Sequence, residues 1–259
     1  MIYTRQSGNG ASHYRFENLA TFREINHGIF TRRHGASPRP FDSLNVSLGI
    51  GDAETNVTRN RDLVHRSMAG SDFVYVRQVH GYNVAVLKGD EAPQGETAAA
   101  AAITADALVP DLPGKYLVIQ VADCQAVLLY DPVRQVVANV HCGWRGSILN
   151  IIGRTIEAMT HHFHCRPDRL RAGIGPSLGP CCAEFVNYKD EIPAVFWDYK
   201  DSSDHFDFWA ASRDQLLRAG VPDKNIEVSR ICTRCRTDEF YSYRAAKTTG
   251  RFAAVIGLK

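Results

Sequence analysis

Short apolar runs bounded by turn residues dominate this chain, and helical spacing appears in three places. Asp106 to Val109, Tyr116 to Val121, Gln125 to Tyr130 and Gln135 to Val140 read as successive strands, with Asp131-Pro132 turning the chain between the last two. Runs such as Leu117-Val118-Ile119 and Val127-Leu128-Leu129 predict strands covered on both faces. Phe73 to Val79 and Asn83 to Leu87 give a strand, turn, strand signal with His80-Gly81-Tyr82 at the turn. A short strand near His27, then Arg169 to Ile174, Ile226 to Ile231, Phe240 to Tyr243 and Phe252 to Leu258, complete the strand set. Helices are predicted over Val57 to Ala69, Ser147 to Phe163 and Phe208 to Ala219. In the second, Ile148, Ile152, Ile156, Met159 and Phe163 fall at steps of four, four, three and four, which makes one apolar face. Gly70 and Gly220 stand just past the first and third.

Between these elements, His27 to Asn45 is rich in Arg, Gly and Pro and reads as a structured loop, either a solvated turn or a lid over a polar substrate. Met1 to Ala20 has no periodicity, so residues 1–24 are expected to form a loose leader. Gly89 to Thr104, acidic and then alanine-rich, is expected to be a connection or a short helix. With no internal repeat and no clear linker, residues 25–259 are expected to form one compact α+β unit.

Composition narrows the function classes. The chain is 44% hydrophobic and 22% charged, ordinary for a globular protein. Thirty basic against 28 acidic residues, net charge +2, make no electrostatic case for nucleic acid or an acidic membrane. No apolar run reaches the roughly 18 residues that span a bilayer. The first residues resemble neither a secretory signal nor a transit peptide. Seven scattered cysteines, an odd count, fit reduced thiols in the cytoplasm. The expected state is a monomer or weak homo-oligomer.

Candidate chemistry concentrates in Val140-His141-Cys142-Gly143-Trp144-Arg145-Gly146, at a predicted strand-to-helix junction. Gln78-Val79-His80-Gly81 and Val121-Ala122-Asp123-Cys124 are placed to meet it. Two imidazoles and a thiolate suit a catalytic zinc with an open position, so His80, Cys124 and His141 are candidate ligands. Their wide separation leaves the alternative open: hydrogen-bonded interior histidines and a buried cysteine. Copper also takes such ligands, but Met1, Met68 and Met159 are not next to them, and the only His-x-His pair is His162-Phe163-His164. Three further groups read as structural. Cys232-Thr233-Arg234-Cys235 lacks a second pair at finger spacing. Cys181-Cys182 would need strained geometry to bond to each other. His161 to Cys165 lies at a helix end, where histidine suits the dipole.

Gln78 to Gly81, Thr104-Ala105-Asp106-Ala107-Leu108-Val109, Ala122-Asp123-Cys124, His141 to Gly146, Gly173 to Cys182 and Phe240-Tyr241-Ser242-Tyr243-Arg244, in this order, closely resemble the bacterial YfiH-like family, described as laccase-domain or polyphenol oxidase proteins and as purine nucleoside phosphorylases. The resemblance runs from about His27 to the C-terminus. It implies two mixed β-sheets packed as a sandwich with flanking helices, in a single compact domain. It implies zinc on His80, Cys124 and His141, with copper the lesser choice. The implied reactions are phosphorolysis of adenosine, inosine, guanosine and methylthioadenosine, and deamination of adenosine. Editing of serine-containing peptidoglycan precursors and polyphenol oxidation are the alternatives. His34 departs from the family pattern, which has glycine there, and Cys142 replaces a more usual alanine.

Roles follow as expectations. Zinc would lower the pKa of a bound water toward roughly 7, for attack at C6 of adenine. Asp123 is the nearest carboxylate for general acid/base work, although in a regular strand it and Cys124 would point to opposite faces. Arg145, at the predicted start of the Ser147 helix, is a candidate phosphate ligand. Arg32 and Arg244 are further candidates from the resemblance, Ser43 and Asn45 for sugar or base, and Trp144 for purine stacking. Each arginine also has a structural reading as an ion-pair partner. A rival enzyme class uses Cys124 as nucleophile with His80 or His141 as base. A non-catalytic metal module would instead take a fourth ligand from the Cys181-Cys182 loop.

Overall fold

The strands read as apolar on both faces are covered on both faces. In the computed structural model, which describes residues 1–4, 11–68, 72–88, 103–110 and 112–259, the elements are β1 (Ile2–Thr4), β2 (His13–Arg15), α1 (Glu17–Ala20), β3 (Ile25–Phe30), α2 (Glu54–Met68), β4 (Asp72–Tyr75), β5 (Val84–Leu87), β6 (Ala107–Pro110), β7 (Lys115–Val121), β8 (Gln125–Asp131), β9 (Val136–Cys142), α3 (Trp144–Ile148), α4 (Ile151–Phe163), β10 (Arg171–Ile174), α5 (Tyr188–Glu191), α6 (Phe208–Arg218), β11 (Ile226–Val228) and β12 (Phe252–Leu258). They form two six-stranded sheets, ordered β1-β2-β3-β12-β7-β4 and β11-β10-β8-β9-β6-β5. Each sheet is mixed: β4–β7 is parallel in the first, and β10–β11 and β5–β6 are parallel in the second.

Side-chain alternation divides the central strands between layers. Leu117, Ile119 and Val121 of β7 meet Ala126, Leu128 and Tyr130 of β8 and Phe252, Ala254 and Ile256 of β12 between the sheets. The opposite faces of β7 and β12, Tyr116, Val118, Ala253 and Val255, pack with Val64 and Met68 of α2. Val127 and Leu129 of β8 pack with Ile152, Ile156 and Met159 of α4. The expected sandwich with flanking helices, in one compact domain, is the observed fold.

Several expectations are corrected. The leader is built in wherever it is described: β2 pairs with β3, and Phe16 and Leu19 are fully buried between the sheets. These apolar residues are too sparse to give a period. The segments around His80 are no hairpin, because β4 joins the first sheet and β5 the second. The helix expected from Ser147 to Phe163 is two, since Asn150 takes a left-handed conformation (φ 54°) and caps α4 through Gly153 N–H. Phe240 to Tyr243 is not a strand, although Phe240 and Tyr241 are buried in the core. Residues 89–102 of the expected connection lie outside the described residues. No helix among the described residues is long and apolar enough to cross a membrane.

Candidate metal centre

β9 aims the histidine. Val137, Asn139 and His141 share the face turned toward the opposite sheet. Val137 is in the inter-sheet core. Asn139 donates to the Leu117 and Ala254 carbonyls across the gap, at 3.0 and 2.9 Å. His141 ends this row and is buried. Cys142 has the other parity and packs with the α4 cluster, so it borders the cleft without joining the His80, Cys124 and His141 group.

Asp106, directly before β6, ties the site together. His141 Nδ1 lies 2.8 Å from its Oδ1. A carboxylate only accepts, so Nδ1 carries the proton and Nε2 is left for Cys124. The amides of His80 and Gly81 donate to the two Asp106 oxygens at 2.9 and 2.8 Å, and that of Val79 at 3.2 Å. These bonds hold the turn on which His80 sits in a left-handed conformation, φ 58°. Gln78 clamps the same turn, its side-chain amide bonding the Gln120 backbone in both directions. Asp106 is fully buried. Burial alone would push its carboxyl up, but the bonds from His141 and the turn amides outweigh this and hold it below the usual range. The sequence reading missed Asp106 as a site residue. Its signal was a carboxylate leading a buried apolar run, which needs partners.

Cys124 sits on the bend between β7 and β8. The backbone there leaves strand geometry, with Asp123 at φ 85°. The opposite-face objection therefore lapses, and Asp123 and Cys124 both line one cleft. The ligand atoms of His80, Cys124 and His141 all lie within 4.8 Å of one another. The two imidazole rings stand edge to face at 4.7 Å. Gly143 makes room, since a Cβ there would come 3.0 Å from Cys124 Sγ and 3.4 Å from His80 Cδ2. Burial pushes the Cys124 thiol up, but the neighbouring His141 and His80 outweigh it and bring it down to about 6. Burial lowers His141, and the Cys124 and Asp106 charges more than reverse this, raising it to about 9. Two imidazoles, one of them locked by a carboxylate, and a readily ionised thiol fit a zinc ion.

The cleft has a volume of about 950 Å³. Arg61, Arg77, Arg145, Arg244, Lys247 and Arg251 line it, against a single acidic residue among the described ones, Asp123. Trp144, Phe185 and Tyr243 supply aromatic wall. Arg145 is exposed and stacks on the Trp144 ring at 4.3 Å. It lies inside the five-residue α3 rather than at the start of a long helix. Arg244 donates from Nη1 to the Cys182 and Glu184 carbonyls. Asp123 uses both oxygens as acceptors, from Thr233 Oγ1 and from Arg244 N–H, each at 2.6 Å.

The candidates from the early loop are not in this lining. Arg32 donates to the Asp42 and Thr237 carbonyls and stacks on Tyr241. The Ser43 hydroxyl bonds the Arg32 carbonyl and the Gly35 amide. Asn45 is fully buried and bonded to Ser47, Asp52 and Arg251. The loop instead brings Ser47 and Leu48 to the cleft. Arg61, Arg77, Lys247 and Arg251 went unread because they come from distant segments that only the fold brings together. Cys181 and Cys182 do not join His80; they form a separate group with Cys232 and Cys235.

A family described as "Multi-copper polyphenol oxidoreductase laccase" matches residues 26–259. The protein named purine nucleoside phosphorylase YlmD from Geobacillus stearothermophilus is 33% identical over 243 residues, 89% of each chain. Purine nucleoside phosphorylase YfiH from Shigella flexneri is 34% identical over 238 residues, covering 88% of this chain and 91% of its own. The crystal structure of YlmD from Geobacillus stearothermophilus superposes with a TM-score of 0.88 at 30% identity, over 100% of this chain and 99% of that one.

Proposed function

This chain belongs to the multi-copper polyphenol oxidoreductase laccase family, in its YfiH-like group, and on that footing we propose that it is a zinc-dependent purine nucleoside phosphorylase that also deaminates adenosine. Its substrates are adenosine, inosine, guanosine and methylthioadenosine. The products are the free base and ribose 1-phosphate or its methylthio analogue. One observation carries this reading: among the described residues, six cationic side chains and five aromatic ones, Tyr75, Trp144, Phe185, Phe208 and Tyr243, line the cleft around His80, Cys124 and His141. Phosphate needs cations and a purine needs a flat apolar wall.

The donor set supports zinc over copper. Among the described residues, His80, Cys124 and His141 are the one metal-ligand group that contains imidazoles, whereas several coppers would call for more of them. Bound there, zinc supplies a Lewis acid that polarises a ligand oxygen and lowers the pKa of water. Arg145 holds the phosphate, and Lys247 and Arg251 offset its remaining charge. Trp144 and Tyr243 flank the base. In phosphorolysis a phosphate oxygen bonds C1′ while the C1′–N9 bond breaks; its electron pair stays on the purine, which takes up a proton. In deamination water adds at C6 and ammonia leaves, giving inosine. Asp123 positions Arg244 and Thr233. The same reading places the protein in the cytoplasm, where thiols such as these seven are kept reduced.

Chromatography of adenosine incubated with metal-analysed protein, with and without phosphate, tests this. Adenine only with phosphate, and inosine without it, both lost in Cys124→Ala, are the expected results. No conversion by zinc-loaded protein would refute purine chemistry. The lowered Cys124 thiol beside His141 favours one second reading, a cysteine amidase acting on peptidoglycan precursors. Its activity would survive chelation, whereas the purine reactions would not.

A further inference from the structure

Two segments far apart in sequence bring four thiols together beside the cleft. Cys181 and Cys182 follow β10, and Cys232 and Cys235 follow β11. The segments are joined by Ser177 N–H to the Ile231 carbonyl and Thr233 N–H to the Ser177 carbonyl, at 3.1 and 3.0 Å. Each then turns back on itself, through Cys182 N–H to the Gly179 carbonyl and Arg236 N–H to the Cys232 carbonyl. The two turns face each other. All four sulfurs lie within 4.8 Å of one another. Cys235 Sγ is 3.6 Å from both Cys181 Sγ and Cys182 Sγ. With Zn–S bonds of about 2.3 Å, the edge of a zinc tetrathiolate tetrahedron is about 3.8 Å. The sulfurs thus form a compact tetrad of the right size rather than two bonded pairs.

The surroundings suit thiolates. Gly179 N–H donates to Cys232 Sγ at 3.4 Å. A side chain at Gly179 would strike Trp209, at 2.6 Å, so glycine is what permits that approach. Arg234, between the two cysteines of the second pair in sequence, brings a positive charge beside the cluster. We propose that Cys181, Cys182, Cys232 and Cys235 form a second, structural zinc site, closed by four thiolates and separate from the His80, Cys124, His141 centre. Neither pair has finger spacing with the other, so the fold, not the sequence, makes the site.

The site fastens one wall of the cleft. Leu178, Ala183 and Phe185, on either side of the first cysteine pair, line the cleft. Next to the second pair, Thr233 holds Asp123, and the Cys182 carbonyl receives Arg244. A bound ion ties these supports into one unit.

The test is metal content by mass spectrometry after zinc loading and gel filtration under reducing conditions. Wild type is expected to hold two zinc ions, and Cys124→Ala one. Cys181→Ser/Cys235→Ser, which alters the two exposed cysteines, should hold one. One zinc in wild type, unchanged in the Cys181→Ser/Cys235→Ser protein, would overturn the proposal. So would iron in the thiol site, or a mass two hydrogens lighter that marks a disulfide within the tetrad. Unmodified protein gives an independent reading should the variant misfold. Cys181 and Cys235 are exposed, yet a thiol reagent should reach them only after chelation; immediate reaction of zinc-loaded protein would overturn the proposal.

Discussion

Asp106 accepts the Nδ1 proton of His141 at 2.8 Å, and this one bond decides which ring nitrogen faces Cys124. The same carboxylate gathers the amides of the His80 turn, so a single buried side chain orients two of the three candidate ligands. Asp106→Asn keeps the shape and removes the charge. Zinc affinity at His80, Cys124 and His141 is expected to fall about 10- to 100-fold with the fold intact. Competition with a chelating dye, alongside circular dichroism, measures this. Unchanged affinity in a folded variant would show that Asp106 serves only the turn.

Metal uptake should release protons in a pattern set by the Cys124–His141 pair. Without metal, Cys124 is held down at about 6 and His141 is raised to about 9, so between these pH values the pair is thiolate and imidazolium. Ligation needs the thiolate and a neutral ring. The pair then loses about one proton per zinc between those limits, about two below the lower and none above the upper. Affinity consequently weakens as pH falls, by about one decade per unit in the middle range. Calorimetry in buffers of different ionisation enthalpy counts the protons. Uptake near neutral pH without proton release would contradict the pairing.

At His34 the backbone takes the conformation glycine favours, φ 66°. Gly35 follows, and a Cβ there would run into the Ser43 backbone, so the loop has little room to relax. The left-handed conformation costs a non-glycine residue about 1–2 kcal/mol, partly offset by the freedom glycine has when unfolded. His34→Gly is expected to stabilise the protein by about 0.5–1 kcal/mol in urea unfolding. His34→Ala, which keeps a Cβ, should give no such gain. Equal effects of the two would place the cause in the imidazole and not in the backbone.

The layered fold was legible because β7, β8, β9 and β12 are apolar on both faces, and that pattern has one physical meaning. Strand partners were not, since nothing local sends β4 and β5 to different sheets. The helix break was hidden because Ile148 and Ile152 keep helical spacing across Asn150, whose left-handed backbone leaves no mark on the apolar pattern. His80, Cys124 and His141 could be singled out by their places at strand ends and turns. Asp106 could not, because its value lies in hydrogen bonds to a turn about 25 residues earlier. The cysteine tetrad escaped for a similar reason: each pair is uninformative until the parallel contact between Ser177 and Cys232 sets them side by side.

Arg145 offers the most direct test of how the cleft recognises phosphate. Arg61 donates to the Val46 carbonyl and Arg244 to two carbonyls, so both are engaged in the framework. Arg145 is exposed at the cleft, stacked on Trp144, and makes no ion pair among the described residues. Its guanidinium can therefore bind an anion without first giving up a partner. A charge-assisted hydrogen bond contributes about 1.5–3 kcal/mol, so Arg145→Ala is expected to raise the KM for phosphate by at least about tenfold. Adenosine deamination, which uses no phosphate, should change little, and Arg145→Lys should recover part of the loss. Equal losses in both reactions would instead assign Arg145 to the nucleoside, through the Trp144 ring it covers.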